Sequence, residues 1–170
     1  MTFKLETPRL IIRSFIPEDE APYIGTHLDP VVNVYLPVRS AEQYHELFHQ
    51  AMAQADAPLN RWTIADRDNN AFIGSCLLRE FDPGTTHTIE LGYSLAADAW
   101  GRGYATEMIA RMIEYAFSLP QTHKLVAVTD PDNKGSQAVL LKNGFVYQGE
   151  VQRYEDLRLS YFEYIPGSDK

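Results

Sequence analysis

Hydrophobic and polar positions follow a helical period in one long segment of the chain and alternate more tightly in several short ones. Residues 103–118 carry the clearest helical pattern, because apolar side chains recur there every three or four positions, as Ala105, Met108, Ile109, Met112, Ile113 and Ala116. An N-cap at Ser40 predicts a second helix that ends near Ala55. Residues 17–20 predict the first turn of another helix, and 136–143 a short helix before a left-handed Gly144.

Seven runs rich in β-branched and aromatic residues predict strands, at 10–13, 62–65, 71–80, 86–95, 124–128, 145–151 and 154–165. The order places antiparallel hairpins first and a strand–helix–strand–helix–strand series after them. This order predicts a mixed α/β (α+β) fold with helices on both faces of one sheet. A chain of 170 residues without repeats or linkers predicts a single domain, 1–170.

Composition narrows the class of protein. Apolar residues make up 45% and charged residues 22%, which is typical of globular proteins. The sequence shows no apolar run long enough for a membrane span and no signal-peptide pattern, and the lone Cys76 fits a reducing compartment, so we expect a cytoplasmic protein that does not bind membranes. The net charge of −8 argues against direct nucleic-acid binding and favours a cationic amine or basic peptide as partner.

The histidines predict no metal site. His45 and His49 share one face of the second predicted helix, but no third ligand is evident nearby in the sequence. We therefore interpret them as part of a solvated face and expect no metal.

The segment that carries the candidate chemistry is the loop before the long helix, Trp100-Gly101-Arg102-Gly103-Tyr104-Ala105. Two glycines and an alanine at a helix start let backbone N–H groups approach an anion, and the helix dipole favours phosphate there. A Gly-x-Gly turn also begins helices that bind nothing. A dinucleotide fingerprint needs a third glycine, and an NTPase phosphate loop needs Gly-Lys-Ser/Thr; neither is present.

The stretch 100–107 resembles the acetyl-CoA signature of the GNAT superfamily, in the form typical of its RimJ/RimL branch, although Trp100 replaces the usual Gln or Arg. Segments 5–13 with 17–19, 89–93, and 133–136 with 142–145 are similar to three further family motifs in the same order. The resemblance implies a mostly antiparallel, twisted sheet of six to seven strands, splayed between the family's strands 4 and 5. It also implies an acetyl-CoA-dependent N-acetyltransferase that works by direct attack in a ternary complex.

The resemblance assigns cofactor contacts to three segments. Pantetheine would pair with the backbone near Ser94, Leu95 and Ala96, and one of these amides would polarise the thioester carbonyl. The amides of the loop and first helical turn would hold the pyrophosphate, namely those of Arg102, Gly103, Tyr104, Ala105 and Thr106. The Arg102 side chain either adds charge or faces solvent. Asn133 would hydrogen-bond the cofactor, cap the following helix, or do both.

Two residues are candidates for proton transfer. Glu90 is predicted as the general base, because strand alternation places it on one face with Gly92 and Ser94 beside the thioester. Its alternative role is to pair with a basic side chain. Ser136 matches the residue proposed as the acid in RimL-like enzymes, and no tyrosine follows it in its helix; a water is the alternative. Glu107 is interpreted as a first-turn acid of its helix.

The acceptor remains open at this point. Residues 33–37 and 152–154 are expected to line its pocket, which suits a protein N-terminus, as in ribosomal-protein acetylation, or a small amine such as an antibiotic, polyamine or amino acid. A non-catalytic acyl-CoA-binding sensor or regulatory module is the alternative of a different class. Large residues in a predicted edge strand at 154–165 leave both a monomer and a homodimer open.

Overall fold

A computed structural model describes residues 3–82, 87–154 and 157–167 of the protein. Eight strands form one sheet in the order β1-β2-β3-β4-β5-β6-β8-β7. The strands are β1 Lys4–Glu6, β2 Leu10–Arg13, β3 Arg61–Asp66, β4 Phe72–Glu80, β5 Thr88–Leu95, β6 Lys124–Thr129, β7 Val146–Arg153 and β8 Leu157–Tyr164. The helices are α1 Glu20–Leu28, α2 Ala41–Ala53, α3 Tyr104–Ser118 and α4 Lys134–Lys142, with 3₁₀ turns at Pro17–Asp19, Asn33–Tyr35 and Ala97–Ala99.

The predicted mixed fold is confirmed, but the sheet has eight strands where six to seven were expected. The additional strand is β1, which pairs antiparallel with β2 from Lys4↔Arg13 to Glu6↔Ile11. Three residues are too few to show an alternating pattern, so the sequence gives no signal for it. The predicted start of β5 at residue 86 lies outside the described residues.

Helices cover both faces of the sheet. Ile12 and Ile64 are buried in the main core together with Met108 and Met112 of α3. Arg13 and Thr63, the next residues on these strands, point the other way and donate hydrogen bonds to Asp19, the N-cap of α1. There a second cluster packs α1 against α2 around Phe48, which is fully buried and stacks on Phe15 at 4.5 Å. The alternation of the strands thus serves two separate apolar layers.

The sheet opens between β5 and β6. These parallel strands are paired only from Thr88–Glu90 to Lys124–Val126, although β5 continues to Leu95 and β6 to Thr129. β6 stays paired with β8 on its other side as far as Thr129↔Ser160. The predicted splay is therefore confirmed, and the family's strands 4 and 5 are β5 and β6 here because β1 is additional. Backbone groups beyond the paired stretch are available to a partner.

Helix termini follow the expected capping chemistry. Ser40 Oγ accepts the Gln43 N–H at 3.1 Å, and the Gln43 side chain accepts the Ser40 N–H at 2.8 Å, which completes a capping box. Gly144 follows α4 with φ +91°, a left-handed conformation that favours glycine. None of the helices in the described part of the chain is long and apolar enough to cross a membrane.

The strand β8 is not at the sheet edge, so the prediction of an edge strand there is wrong. It lies between β6 and β7, and its Leu159 and Phe162 are buried. The edge position belongs to β7, where Val146 and Tyr147 are about half exposed, 53% and 50%. β8 follows β7 in the sequence but lies between β6 and β7 in the sheet, and hydrophobic alternation does not encode this strand order.

Candidate active site

Two cavities meet at the splayed end of β5. The larger, of about 730 Å³, lies among the end of β5, the start of α3 and the start of α4. The smaller, of about 210 Å³, lies over β3, β4 and β5 on the face covered by α1 and α2. Both are lined by Tyr35, Leu36, Tyr93 and Ser94. Groups bound in the two cavities would therefore meet beside Ser94.

The glycine loop forms one wall of the larger cavity. Gly101 and Gly103 adopt φ +74° and +80°, and Gly103 is the N-cap of α3. A Cβ built on Gly101 would meet no heavy atom within 4 Å, so the loop backbone there is open. The first amides of α3 have no partner within the helix, and its dipole is positive at this end. This geometry fits a pyrophosphate, and the cavity volume lies within the range of ~300–1,000 Å³ for cofactor and small-molecule sites.

An ion pair between Glu107 and Arg9 ties the loop to the segment just before β2. Glu107 Oε2 accepts the backbone N–H of Arg9 at 2.8 Å and the Thr7 hydroxyl, while Oε1 accepts Arg9 Nε at 2.8 Å. Arg9 also donates to the Arg102 carbonyl at 2.8 Å, and its guanidinium lies 4.6 Å from the centre of the Tyr104 ring. Burial acts to raise the pKa of Glu107, but the hydrogen bonds from Thr7 and Arg9 prevail and lower it. Glu107 is a first-turn residue of α3, as expected, and it also braces the loop.

Most of the predicted cofactor residues line the larger cavity, namely Ser94, Leu95, Gly103, Tyr104, Ala105, Thr106 and Asn133. Arg102 and Ala96 are not among its lining residues. The Ala96 N–H already donates to the Ile73 carbonyl at 2.9 Å, so this amide is not available to a thioester. The Trp100 indole N–H donates to the Leu95 carbonyl at 3.0 Å. The tryptophan that replaces the family's usual Gln or Arg thus bonds the loop to the end of β5.

A tyrosine that the sequence analysis did not single out lies beside Ser136. The Tyr93 hydroxyl, from β5, is 3.0 Å from Ser136 Oγ, and either atom can be the donor. Burial raises the pKa of Tyr93, with the Ser136 hydrogen bond acting in the opposite direction, so the phenol stays protonated at neutral pH. Asn133 caps α4 by accepting the Ser136 N–H at 3.1 Å, as predicted. The sequence has no tyrosine in the helix that follows Ser136, and this one comes from β5 instead.

Glu90 lines the smaller cavity and shares its face of β5 with Gly92 and Ser94, as the alternation predicts. Its side chain is only 3% exposed and pairs with Arg79, its cross-strand neighbour, at 3.0 Å. Arg153 lies 3.8 Å away. Burial acts to lower the pKa of Arg79, but the Glu90 carboxylate helps to raise it overall. The alternative role of Glu90 as an ion-pair partner is thus present in the structure, and its role as a base stays a prediction.

The segment expected to form an acceptor pocket does border the smaller cavity, through Val34, Tyr35, Leu36 and Pro37. Of the second expected segment, residues 152–154, Tyr154 lines the smaller cavity but not the larger one. His27, near the end of α1, also lines the smaller cavity. Burial lowers the pKa of His27 to about 4, although a hydrogen bond between its Nδ1 and the Tyr23 carbonyl, 2.8 Å away, opposes this. The ring is therefore neutral at physiological pH.

The expectation that His45 and His49 lack a third partner is wrong. Glu20, the first residue of α1, contacts His45 Nδ1 and lies 3.0 Å from His49 Nε2 through its Oε2. The three side chains form an exposed cluster whose ligand atoms lie within 4.8 Å of one another, close enough to hold a metal ion. The sequence did not reveal Glu20 because it belongs to a different helix.

Residues 9–146 match the acetyltransferase (GNAT) domain family. YoaA, an uncharacterized N-acetyltransferase of Bacillus subtilis (strain 168), is 29% identical over 156 residues, which cover 88% of this chain and 86% of the relative. A ribosomal protein uS5-alanine N-acetyltransferase of Escherichia coli (strain K12) is 29% identical over 91 residues, 54% of this chain and 47% of the relative.

Solved structures show the same fold. A GNAT-family acetyltransferase from Bacillus anthracis superposes with a TM-score of 0.81 at 20% identity, covering 96% of this chain and 98% of its own. Mycobacterium smegmatis RimJ in complex with a CoA disulfide gives 0.74 at 20% identity, with 92% and 82% covered. The predicted family resemblance is confirmed by the match over 9–146. The chain therefore belongs to the GNAT family and is an acetyl-CoA-dependent N-acetyltransferase.

Proposed function

We propose that residues 1–170 act as one acetyltransferase domain that moves an acetyl group from acetyl-CoA to a primary amine by direct attack in a ternary complex. The observation that carries this proposal is the pair of cavities that share Tyr93 and Ser94. The larger suits the donor, since it contains the phosphate-binding end of α3. The smaller suits an amine, because it contains the buried carboxylate Glu90.

In this proposal the chain holds the donor mainly through its backbone. Amides at Gly103, Tyr104, Ala105 and Thr106 bind the pyrophosphate, and Arg9 keeps their loop in place from outside. Bound acetyl-CoA supplies the activated thioester. The unpaired edge of β5 near Ser94 binds pantetheine and directs an N–H at the thioester carbonyl, where negative charge develops.

In this proposal two proton transfers take place, one on each side of the β5 residues Tyr93 and Ser94 that both cavities share. Glu90 takes the proton from the ammonium of the acceptor, directly or through a water, and Arg79 fixes the orientation of its carboxylate. On the other side Ser136 protonates the departing thiolate, with Tyr93 as the source of the replacing proton at 3.0 Å.

The first experiment tests the donor site. Acetyl-CoA should raise the melting temperature of the wild type by mass action. Gly103→Asp places a carboxylate against the pyrophosphate site and should abolish this rise. Gly103→Ala is the matched control, because it introduces the same strain at φ +80° without the charge. An equal rise in Gly103→Asp and Gly103→Ala would show that the loop does not bind the pyrophosphate.

The second experiment tests turnover. Release of CoA is measured with a thiol reagent while small amines and short peptides are presented one by one. Release with at least one amine supports the enzyme. Binding of acetyl-CoA without release by any of them would favour a sensor or regulatory module instead. A peptide N-terminus is kept in the panel because the E. coli relative is named as an alanine N-acetyltransferase of a ribosomal protein.

A further inference from the structure

The smaller cavity is lined by more guanidinium groups than carboxylates. Arg39, Arg61 and Arg79 border it, with Glu90 and Asp130 as the acids. Arg79 pairs with Glu90 at 3.0 Å, and the Asp130 carboxylate accepts a backbone N–H of the following turn at 2.8 Å. Arg39 and Arg61 form no ion pair with any described residue. Two guanidiniums are thus left facing the cavity without a counter-charge.

The sheet brings these cations together. Arg61 opens β3 opposite Leu77 of β4, and Arg79 lies two residues further along β4 on the same face. Burial lowers the pKa of Arg61, and although Tyr23 opposes this, the charges of Arg79 and Arg39 lower it further. Half-buried cations that repel one another are costly unless an anion offsets them. Such an arrangement in a cavity is typical of a binding site.

A buried hydroxyl lies in the same wall. Tyr23 is 1% exposed and lines the cavity, and its hydroxyl has no hydrogen bond of normal geometry to a described residue. Its polar contact is the Arg61 guanidinium, which can only donate, so the phenol proton is left for an acceptor in the cavity. Burial raises the pKa of Tyr23, with Arg61 acting in the opposite direction, so the group remains a donor at neutral pH. An anion would accept hydrogen bonds from both this hydroxyl and the guanidiniums.

We infer that the acceptor is a small primary amine that carries a carboxylate or phosphate group, which Arg39 and Arg61 bind while the amine faces Glu90. This inference rests on the proposed transfer to an amine in the smaller cavity. Guanidinium groups suit such anions because they donate two parallel hydrogen bonds. The volume of about 210 Å³ is below that of sites for drug-sized ligands, ~300–1,000 Å³, and suits an acceptor the size of an amino acid. The charge of this cavity is thus opposite to the net charge of the chain, −8.

The inference is tested with matched pairs of acceptors that differ in the anion. Amino acids are compared with their amides, and phosphoethanolamine with ethanolamine, by CoA release from acetyl-CoA. The anionic member should have the higher kcat/KM by about tenfold or more, the usual effect of hydrogen bonds to a charged group. The amine of an amide is less basic and more often neutral, which acts against this result and makes it more decisive. The two pairs also distinguish a carboxylate from a phosphate.

Substitutions of the two arginines test whether they bind the anionic group of the acceptor. Arg61→Met and Arg39→Met should each remove most of the preference for the anionic acceptor, and Arg61→Lys should restore part of it. The melting-temperature rise with acetyl-CoA should be the same in all of them, which shows that they fold. Arg111→Met is the matched control, because it removes an arginine on α3 that pairs with Glu114 at 3.3 Å outside both cavities.

The outcomes separate the inference from the proposed function. The inference is overturned if acceptors without an anionic group are acetylated as fast as their anionic counterparts. It is also overturned if the preference for the anionic acceptor survives substitution of both Arg39 and Arg61. Either result leaves the proposed transferase function intact. Acetylation of peptides alone also overturns it, because the acceptor is then not small. Binding of acetyl-CoA without release by any amine overturns the proposed function and the inference together.

Discussion

Substitution of Glu107 should loosen the phosphate loop and the start of α3 together. Its carboxylate is 17% exposed and accepts two hydrogen bonds from Arg9, at 2.8 Å each, and one from Thr7. Hydrogen bonds to charged groups contribute about 1.5–3 kcal/mol each, but they are not additive here. Arg9 is 47% exposed, so water can replace part of what it loses.

We therefore expect Glu107→Ala to lower the free energy of unfolding by about 2–3 kcal/mol, and Glu107→Gln by about 1 kcal/mol, since an amide keeps one oxygen acceptor. Urea unfolding at neutral pH measures both. Acetyl-CoA should bind Glu107→Ala about tenfold more weakly by calorimetry, because about 1.4 kcal/mol is then spent on ordering the loop. Glu114→Ala, on the exposed face of the same helix, should change neither quantity because its salt bridge lies at the surface.

The pH dependence of the free energy of unfolding also tests the role of Glu107. The folded pKa of Glu107 lies below its ordinary value of 4.5, so its contribution is present above that value and is lost as the pH falls through the folded pKa. The stability difference between the wild type and Glu107→Gln should narrow in that acidic range. A Glu107→Ala protein that unfolds and binds acetyl-CoA like the wild type would refute the bracing role.

Four other substitutions test the site and the fold. Glu90→Gln should keep acetyl-CoA affinity but lower turnover by about 10²–10⁴-fold, with a smaller loss at high pH where the amine is already neutral; an unchanged pH profile would place the base elsewhere. Tyr93→Phe and Ser136→Ala should each slow turnover, and the double variant should lose little more, since both act in one proton path; additive losses measured in a double-mutant cycle would contradict this. Phe48→Ala should cost about 3–5 kcal/mol in urea unfolding, because a fully buried ring is removed from the α1–α2 layer; a loss below 1 kcal/mol would show that the layer repacks freely.

The parts of the fold that were predictable depend on neighbours within one helical turn or one strand. The apolar stripe of α3, the Ser40 capping box and the left-handed Gly144 are of this kind. The glycine loop and the start of α3 belong with them, because their residues are contiguous in the sequence, while phosphate binding by this loop stays a prediction.

The parts that were missed depend on residues far apart in the chain. Arg9 and Glu107 are separated by 98 residues, and Tyr93 and Ser136 by 43. The Arg79–Glu90 pair is separated by only 11 residues, but it depends on the register between β4 and β5. A sequence pattern identifies each of these side chains as polar without showing which partner the sheet will bring to it.

The neutral His27 gives the smaller cavity a property useful for testing its proposed role as the acceptor site. Because the pKa of His27 lies at about 4 and those of Tyr23 and Tyr44 are raised, mainly by burial, these three side chains keep a constant charge across neutral and mildly alkaline pH. The rise of kcat/KM with pH in that range then follows the acceptor's own ammonium rather than a histidine of the enzyme. The midpoint of that rise, measured for each reactive amine, should shift with the basicity of the amine. The pH profile of kcat/KM can therefore report the pKa of the free acceptor amine.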